Sequence, residues 1–326
     1  PEFNMDNHLM LDKINYENGT IMLEGKEYKL KDTNFPTINP ENPFELTDAE
    51  KELMNLLRSS FLRSEKLQNH VKFLYEKGSI YLTFNNNLLY HGCIPMNSDG
   101  TFTEVTLFGE TVSGKSLMDK AEQLARDGYF AKNGSEAVSF RDFDLDWYGK
   151  DFLWFLWCGC YSPVYGKNKM TSFERYFIDD ESTWVEIKDE YYHLIEKPSV
   201  CNKILCEFGI DPNNFSHIIN GHVPVKIKKG ESPIKSNGKL LVIDGGLSKA
   251  YQKVTGLAGY TLLFNSHGLL LSAHDAFESI ESAIKEEKDI HSTLDVVELA
   301  PNRLLVEDTD AGKSLSKKIT DLKALV

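Results

Sequence analysis

Residues Ile218–Val225, IINGHVPV, form an apolar run that halts at Asn220-Gly221-His222 and resumes after Pro224. A buried strand ending in Gly-His-x-Pro mounts an imidazole on a rigid sheet edge, because glycine lets the backbone come close and proline fixes the exit. Such a mount suits a metal-binding histidine. The pattern recurs upstream in Leu88–Pro95, LLYHGCIP, where a second short apolar strand ends in His91-Gly92. Two strand-end histidines, His91 and His222, can converge on one site, although the spacing alone also fits two ordinary histidines satisfied by backbone.

At 326 residues the chain can bury a substantial core as one large domain or two smaller ones. Its 49 acidic side chains against 36 Lys plus Arg argue against binding a nucleic-acid backbone or an anionic membrane. A small anionic substrate needs only a local cluster of cations and stays open. The five cysteines, Cys93, Cys158, Cys160, Cys201 and Cys206, include no CxxC pair and read as reduced thiols of a cytoplasmic protein. The densest apolar stretch, Phe152–Cys160, is too short to span a bilayer, and no signal peptide is expected. The chain does not begin with Met. Pro1-Glu2-Phe3 reads as a cloning scar, so the chain is expected to be a piece of something longer.

Ile14–Leu30 alternates around Asn18-Gly19 and Glu24-Gly25, which predicts tight hairpins in a small β-meander. Three prolines make 34–45 a linker. Thr47-Asp48-Ala49-Glu50 is a capping box leading a helix with Leu53, Leu56, Leu57 and Phe61 on one face. A second helix follows, with Leu67, Val71 and Leu74 facing inward and Gly78 closing it. Strands 80–84 and 88–90 come next, joined by three asparagines. The stretch 93–216 is less regular, with a strand over 102–108 and helices over 116–126 and 199–208, the last capped by Ser199. Short strands return over 217–220, 223–227, 240–243, 260–265 and 268–274, and Leu315, Ile319 and Leu322 mark a closing amphipathic helix. The alternation indicates an α/β or α+β layered fold.

Gly109–Ser116, GETVSGKS, fits GxxxxGK[ST], with Lys115 and Ser116 in place for phosphate and Mg²⁺. A P-loop nucleotide-binding protein is therefore the alternative function, with Leu240–Asp244, LLVID, as its second element. Against it, the preceding TFTEVTLF alternates like a half-exposed antiparallel strand, whereas a P-loop strand in a parallel sheet is continuously apolar. Thr111-Val112 also puts a β-branched pair where the loop must fold tightly. No nucleotide site is expected there.

Six stretches carry a wider likeness: KDTNFPT (Lys31–Thr37), NPENPFELT (Asn39–Thr47), LLYHGCIPM (Leu88–Met96), KMTSFERYFI (Lys169–Ile178), INGHVPVK (Ile219–Lys226) and LLVIDGGLSKAYQ (Leu240–Gln252). Together they resemble the class III fructose-1,6-bisphosphatases of Firmicutes. That resemblance implies a calcineurin-like metallophosphatase core, a four-layer α/β/β/α sandwich whose strand ends hold two divalent metals, with Mn²⁺ favoured. It implies removal of the 1-phosphate of fructose 1,6-bisphosphate in gluconeogenesis. Residues 46–92 and 217–326 would be part of the sandwich, 93–216 a mostly helical insertion, and 1–45 scar, meander and linker.

By the same resemblance, His91 and His222 are two of the metal-ligating histidines. The superfamily also needs DxH, GDxxDRG and GNH[DE] motifs, and the last two have no match, since this sequence has no Gly-Asp dipeptide and no Gly-Asn-His. The chain therefore resembles the C-terminal part of such an enzyme. Its expected partner is the missing N-terminal half, which would complete the metal pair, and alone it is expected to bind metal weakly and to be inactive. The sheet face that half would cover should be an apolar patch or be hidden in a homo-oligomer. Asp244 is a candidate to orient a ligand, with a turn carboxylate as its plainer role. Arg175, Lys169 and Tyr165 are candidates for the second phosphate, against the plainer reading of a solvated helix face. His267 is a third strand-end histidine and a further candidate.

Overall fold

The computed structural model describes residues 2–130, 140–244, 255, 259–275, 279–287 and 292–325, with backbone alone for 140–147. Gly245, Gly246 and the rest of the motif through Gln252 lie outside the described residues, as does Pro1. The chain divides into two units, the first comprising Pro1–Ser79, Glu104–Val112 and Asp119–Asp189, the second Ile80–Thr103, Ser113–Met118 and Glu190–Val326.

In the first unit the alternation of Ile14–Leu30 folds as a three-stranded antiparallel meander of β1 (Ile14–Asn15), β2 (Thr20–Leu23) and β3 (Lys26–Lys29). Its inner residues Ile14, Ile21 and Leu30 pack with Ile178 into a small core. Thr47 and Glu50 form the expected capping box of α1 (Asp48–Arg63), and α2 (Glu65–Lys77) follows. Neither helix has a buried residue; of the α2 face read as inward, Leu67 and Val71 are half-buried and Leu74 is exposed. Leu56, Phe61 and Leu74 are 64%, 63% and 63% exposed, because amphipathic spacing states that a helix has an apolar face but not what covers it. Gly78 ends α2 at φ −85, not in the left-handed region. A Cβ there would come 2.6 Å from the Leu74 carbonyl oxygen.

Phe3 is buried, its ring centroid 4.6 Å from Tyr148 and 5.4 Å from Phe155. The hairpin of β6 (Val105–Leu107) and β7 (Glu110–Val112) turns through Phe108 and Gly109, both at positive φ. Two such residues are what a type I′ turn requires. Glu110–Val112 of the GxxxxGK[ST] match are therefore a strand and not a phosphate loop. Helix α3 (Gly114–Phe130) follows, and the backbone N–H of Lys115 donates to the Glu207 carboxylate. That carboxylate, not a phosphate, meets the positive end of the helix. Helix α4 (Phe140–Cys158) carries the aromatic stretch, and the short α5 (Ser172–Phe177) the SFERYF segment.

The second unit is built on a five-stranded sheet of order β4-β5-β8-β10-β9. Its strands are β4 (Tyr81–Phe84), β5 (Asn87–Tyr90), β8 (Ile218–Asn220), β9 (Ile234–Lys235) and β10 (Leu240–Val242). The β4–β5 hairpin turns through Asn85 and Asn86, both at positive φ, as asparagine tolerates. The three central strands, β5, β8 and β10, run parallel, with Leu88 and Leu240 each opposite Ile218. Parallel strands are buried on both faces, which explains their unbroken apolar sequence. One face packs on α6 (Tyr191–Leu194) and α7 (Pro198–Glu207) through Tyr191, Cys201, Ile204 and Leu205. On the other, Ile219 and Leu241 meet Leu269 of a second, antiparallel sheet, β11 (Gly259–Asn265), β12 (Gly268–His274) and β13 (Ser292–Leu299).

Two further expectations are corrected here. Helix α7 begins with Pro198 at its first position and Lys197 as N-cap, so Ser199 is inside the helix. Residues 223–227 do not form a strand, because the chain turns sharply at His222 and passes through Pro224. The closing helix Asp310–Lys323 is present, with Leu315, Ile319 and Leu322 exposed. The architecture is mixed α/β, and among the described residues no helix is long and apolar enough to cross a membrane.

Candidate metal centre

Strands β5 and β8 are parallel neighbours, so their carboxyl ends lie at the same rim of the sheet. Open α/β sheets bind ligands at that rim, beyond the strand ends. His91 follows β5 directly and His222 lies two residues beyond β8. The long connection between them carries no strand of this sheet, so the two strands pair directly.

The rim brings the imidazoles together. His91 Nε2 is 3.1 Å from His222 Nδ1, and the rings meet edge to face with centroids 5.0 Å apart. The Gly221 N–H donates to the His91 carbonyl oxygen at 3.0 Å, and the Val223 N–H donates to the Gly221 oxygen at 2.8 Å. This last bond spans one residue, His222, whose φ is +67. An i to i+2 bond around a positive φ is the γ-turn, a rare and strained conformation that persists where surrounding structure enforces it. His222 is thus held in a costly backbone position that points to function more than to folding.

The third parallel strand brings Asp244 to the same rim, two residues after β10. Its carbonyl oxygen accepts from the Val225 N–H, and its Oδ2 lies 4.0 Å from where a Cβ on Gly221 would stand. The same added Cβ would be 3.8 Å from the His91 carbonyl oxygen. Gly221 therefore leaves open the space between His91, His222 and Asp244; its backbone is not pressed against another chain segment.

These residues fit part of a metal centre. Two nitrogen donors bound cis to one cation at about 2.1 Å stand about 3 Å apart, which matches the 3.1 Å seen here. Among the described residues no group of three or more His, Cys, Asp or Glu side chains converges as a metal cage. A hard divalent cation such as Mn²⁺ leans on carboxylate oxygen, so the pair would supply only one edge of a coordination shell.

His267 lies away from this rim. It sits in the turn between β11 and β12, exposed, with its N–H donating to Asn265 Oδ1, so it belongs to the antiparallel sheet. Arg175, Lys169 and Tyr165 belong to the first unit. Arg175 donates to Thr171 Oγ1 and to the Trp184 carbonyl, Lys169 pairs with Glu24 at 3.0 Å, and the Tyr165 hydroxyl donates to the Lys169 carbonyl. Burial pushes the Tyr165 hydroxyl far above the usual tyrosine range and keeps it neutral.

Sequence reading missed residues beneath the rim. Tyr90, Tyr191 and Asn220 are buried and linked, Tyr90 to Tyr191 through their hydroxyls at 2.6 Å and Asn220 Nδ2 donating to Tyr191 at 2.7 Å. Asn220 stands in the quoted INGHVPVK motif, but Tyr191 lies in the crossover and has no local signal.

No solved structure matches this chain. A model of the Firmicute fructose-1,6-bisphosphatase family matches residues 1–326. The chain is 56% identical over its whole length to a fructose-1,6-bisphosphatase class 3 of Clostridium novyi (strain NT) and covers 48% of that protein. It is 56% identical to the class 3 enzyme of Alkaliphilus metalliredigens (strain QYMF) and 54% to that of Clostridium botulinum (strain Langeland / NCTC 10281 / Type F), again covering 48% of each. It thus spans about half the length of the curated relatives it matches. With a full-length match to the family and more than half of its residues shared with these relatives, the chain belongs to the Firmicute fructose-1,6-bisphosphatases.

Proposed function

We propose that this chain forms one part of a fructose 1,6-bisphosphate 1-phosphatase, with His91 and His222 as ligands of a binuclear divalent-metal centre in which Mn²⁺ is the natural occupant. The observation that carries this is the 3.1 Å approach of two imidazole nitrogens at the ends of adjacent parallel strands, one of them in a strained γ-turn. In a two-metal phosphatase the bound cations supply Lewis acidity and an activated water. The work of this chain is to hold and orient. Neutral imidazoles hold a cation without cancelling its charge, and the rigid strand ends fix their directions. Asp244, across the Gly221 gap, would orient an imidazole by accepting a hydrogen bond from its second N–H. The carboxylates that a hard cation needs would come from the part of the relatives that this chain does not span.

The five-stranded and three-stranded sheets packed through Ile219, Leu241 and Leu269 support a reading as part of a layered metallophosphatase sandwich. The exposed Leu294, Val296 and Leu299 of β13 support a further covering layer.

The test assays fructose 1,6-bisphosphate hydrolysis with Mn²⁺ by the chain alone and by the chain co-expressed with the remaining half of a class 3 relative. Turnover is expected only in the combined protein and should fall at least a hundredfold in His91→Ala and His222→Ala. Turnover by the combined protein that is indifferent to both substitutions would overturn the assignment.

A further inference from the structure

The backbone ladder between β5 and β8 ends at Leu89↔Ile219, one residue short of the point where each strand releases its histidine loop. Past that point two devices hold the loops together. One is the Gly221 N–H to His91 carbonyl bond. The other is made of side chains. Tyr90 is the last residue of β5 and Asn220 the last of β8, and both are joined to Tyr191 of α6, at 2.6 and 2.7 Å. Asn220 Nδ2 also reaches the Gly92 carbonyl oxygen at 3.5 Å, so the peptides on either side of Gly92 and Gly221 are tied to the same strand ends. The hydroxyls of Tyr90 and Tyr191 are held well above the usual tyrosine range by burial, so the tie is neutral throughout.

The arrangement has a visible cost. Asn220 is 5% exposed and its Oδ1 has no hydrogen-bond partner among the described residues. A buried amide oxygen left unpaired is destabilising, and such a group calls for an explanation. An apolar residue here would avoid that cost and would also lose the bond to Tyr191.

We propose that Asn220, through Tyr191 and Tyr90, is a positioning residue that sets the separation of His91 and His222. The proposal rests on the metal-site reading above. The tie takes over where the ladder stops, and together with the Gly221 bond it enforces the γ-turn at His222, which the chain would otherwise relax. Outer groups that orient metal ligands are typically worth about 10–100-fold in metal affinity.

Ni²⁺ is the probe, because imidazole suits it and its affinity exceeds that of Mn²⁺. Calorimetric titration and the visible absorption band of bound Ni²⁺ are measured for the wild-type chain, Asn220→Ala, Tyr191→Phe, His91→Ala, His222→Ala and Ile204→Val. Tyr191→Phe keeps the core volume and removes only the hydroxyl. Ile204→Val trims the same core and leaves the hydrogen bonds of the tie in place. Both tie variants should weaken Ni²⁺ about 10–100-fold and shift its band, while Ile204→Val lowers the unfolding midpoint with affinity unchanged. Wild-type affinity and an unshifted band in both tie variants, with binding lost in His222→Ala, overturn the tie and leave the metal site standing. Wild-type binding that is absent, or that survives both histidine substitutions, overturns the metal site and the tie with it. An equal loss of affinity in Ile204→Val and Tyr191→Phe assigns the effect to general stability and also overturns the tie.

Discussion

His217 offers the sharpest test of what holds the second unit together. Its side chain has no exposed surface, its ring nitrogens lie 2.9 Å from Asn87 Oδ1 and 2.9 Å from Glu298 Oε2, and Phe215 meets its ring edge at 4.9 Å. It thereby joins β5 of the parallel sheet to β13 of the antiparallel one. His217→Leu keeps roughly the same volume and removes both bonds. Asn87 is 5% exposed, so its Oδ1 cannot hydrate, and an orphaned buried oxygen costs about 1–3 kcal/mol. The Glu298 side chain is 39% exposed and can turn to water, which limits its share. Leucine returns about 1 kcal/mol of apolar burial against a lost net hydrogen-bond contribution of similar size. The balance is a destabilisation of about 2 kcal/mol, or a midpoint about 4–8 °C lower for a domain of this size. Urea unfolding at pH 7 measures it, with the slope unchanged. Asn87→Ala should cost less in the His217→Leu background than in the wild type, because the orphan is then removed. Burial pushes His217 below the usual histidine range, against the opposing pull of Glu298. Its folded pKa is thus below its unfolded one, so its stabilisation is present above about pH 6.5 and is lost as pH falls through the depressed value. His217→Leu should flatten that slope. A variant within 0.5 kcal/mol of wild type, or additive effects of the two substitutions, would refute the reasoning.

Three other outcomes are expected. Gly128 of α3 and Gly149 of α4 are in such close approach that a Cβ on Gly128 would overlap the Gly149 carbonyl oxygen, and one on Gly149 would come 2.6 Å from the Gly128 nitrogen. Either alanine gains about 1 kcal/mol of helix propensity and loses about 1–3 kcal/mol to overpacking, so each should destabilise, and the double variant by less than the sum, checked by chemical denaturation. Glu174 is 1% exposed with an Oε2 that has no partner among the described residues, and burial raises its pKa. A raised folded pKa means stability present near pH 4.5 is lost as pH rises, so Glu174→Gln should raise the thermal midpoint at pH 8 and not at pH 4.5; equal shifts at both would contradict it. Gly221→Ala should leave stability near wild type, since its Cβ meets only ordinary contacts, yet lower Ni²⁺ affinity by filling the space beside Asp244 and His91, read by calorimetry beside a melting curve.

Local chemistry settled a definite share of this protein. The alternation of Ile14–Leu30, the Thr47–Glu50 box and the apolar runs of β5, β8 and β10 each have a cause within a few residues, and each folds as read. The polar-apolar alternation of TFTEVTLF likewise told a hairpin from a phosphate loop. His91 and His222 were legible because a glycine beside a strand-end histidine is a local signal. Tertiary structure decided the rest, because pairing and burial depend on what arrives from far along the chain. Nothing in the sequence near Tyr191 announces that its hydroxyl links two strand ends. Amphipathic spacing could not show that the apolar faces of α1 and the closing helix, and Leu74 of α2, stay exposed. Nor could a proline after His222 reveal a γ-turn where a strand was expected, since the 3.1 Å approach of two rings 131 positions apart exists only once β5 and β8 lie side by side.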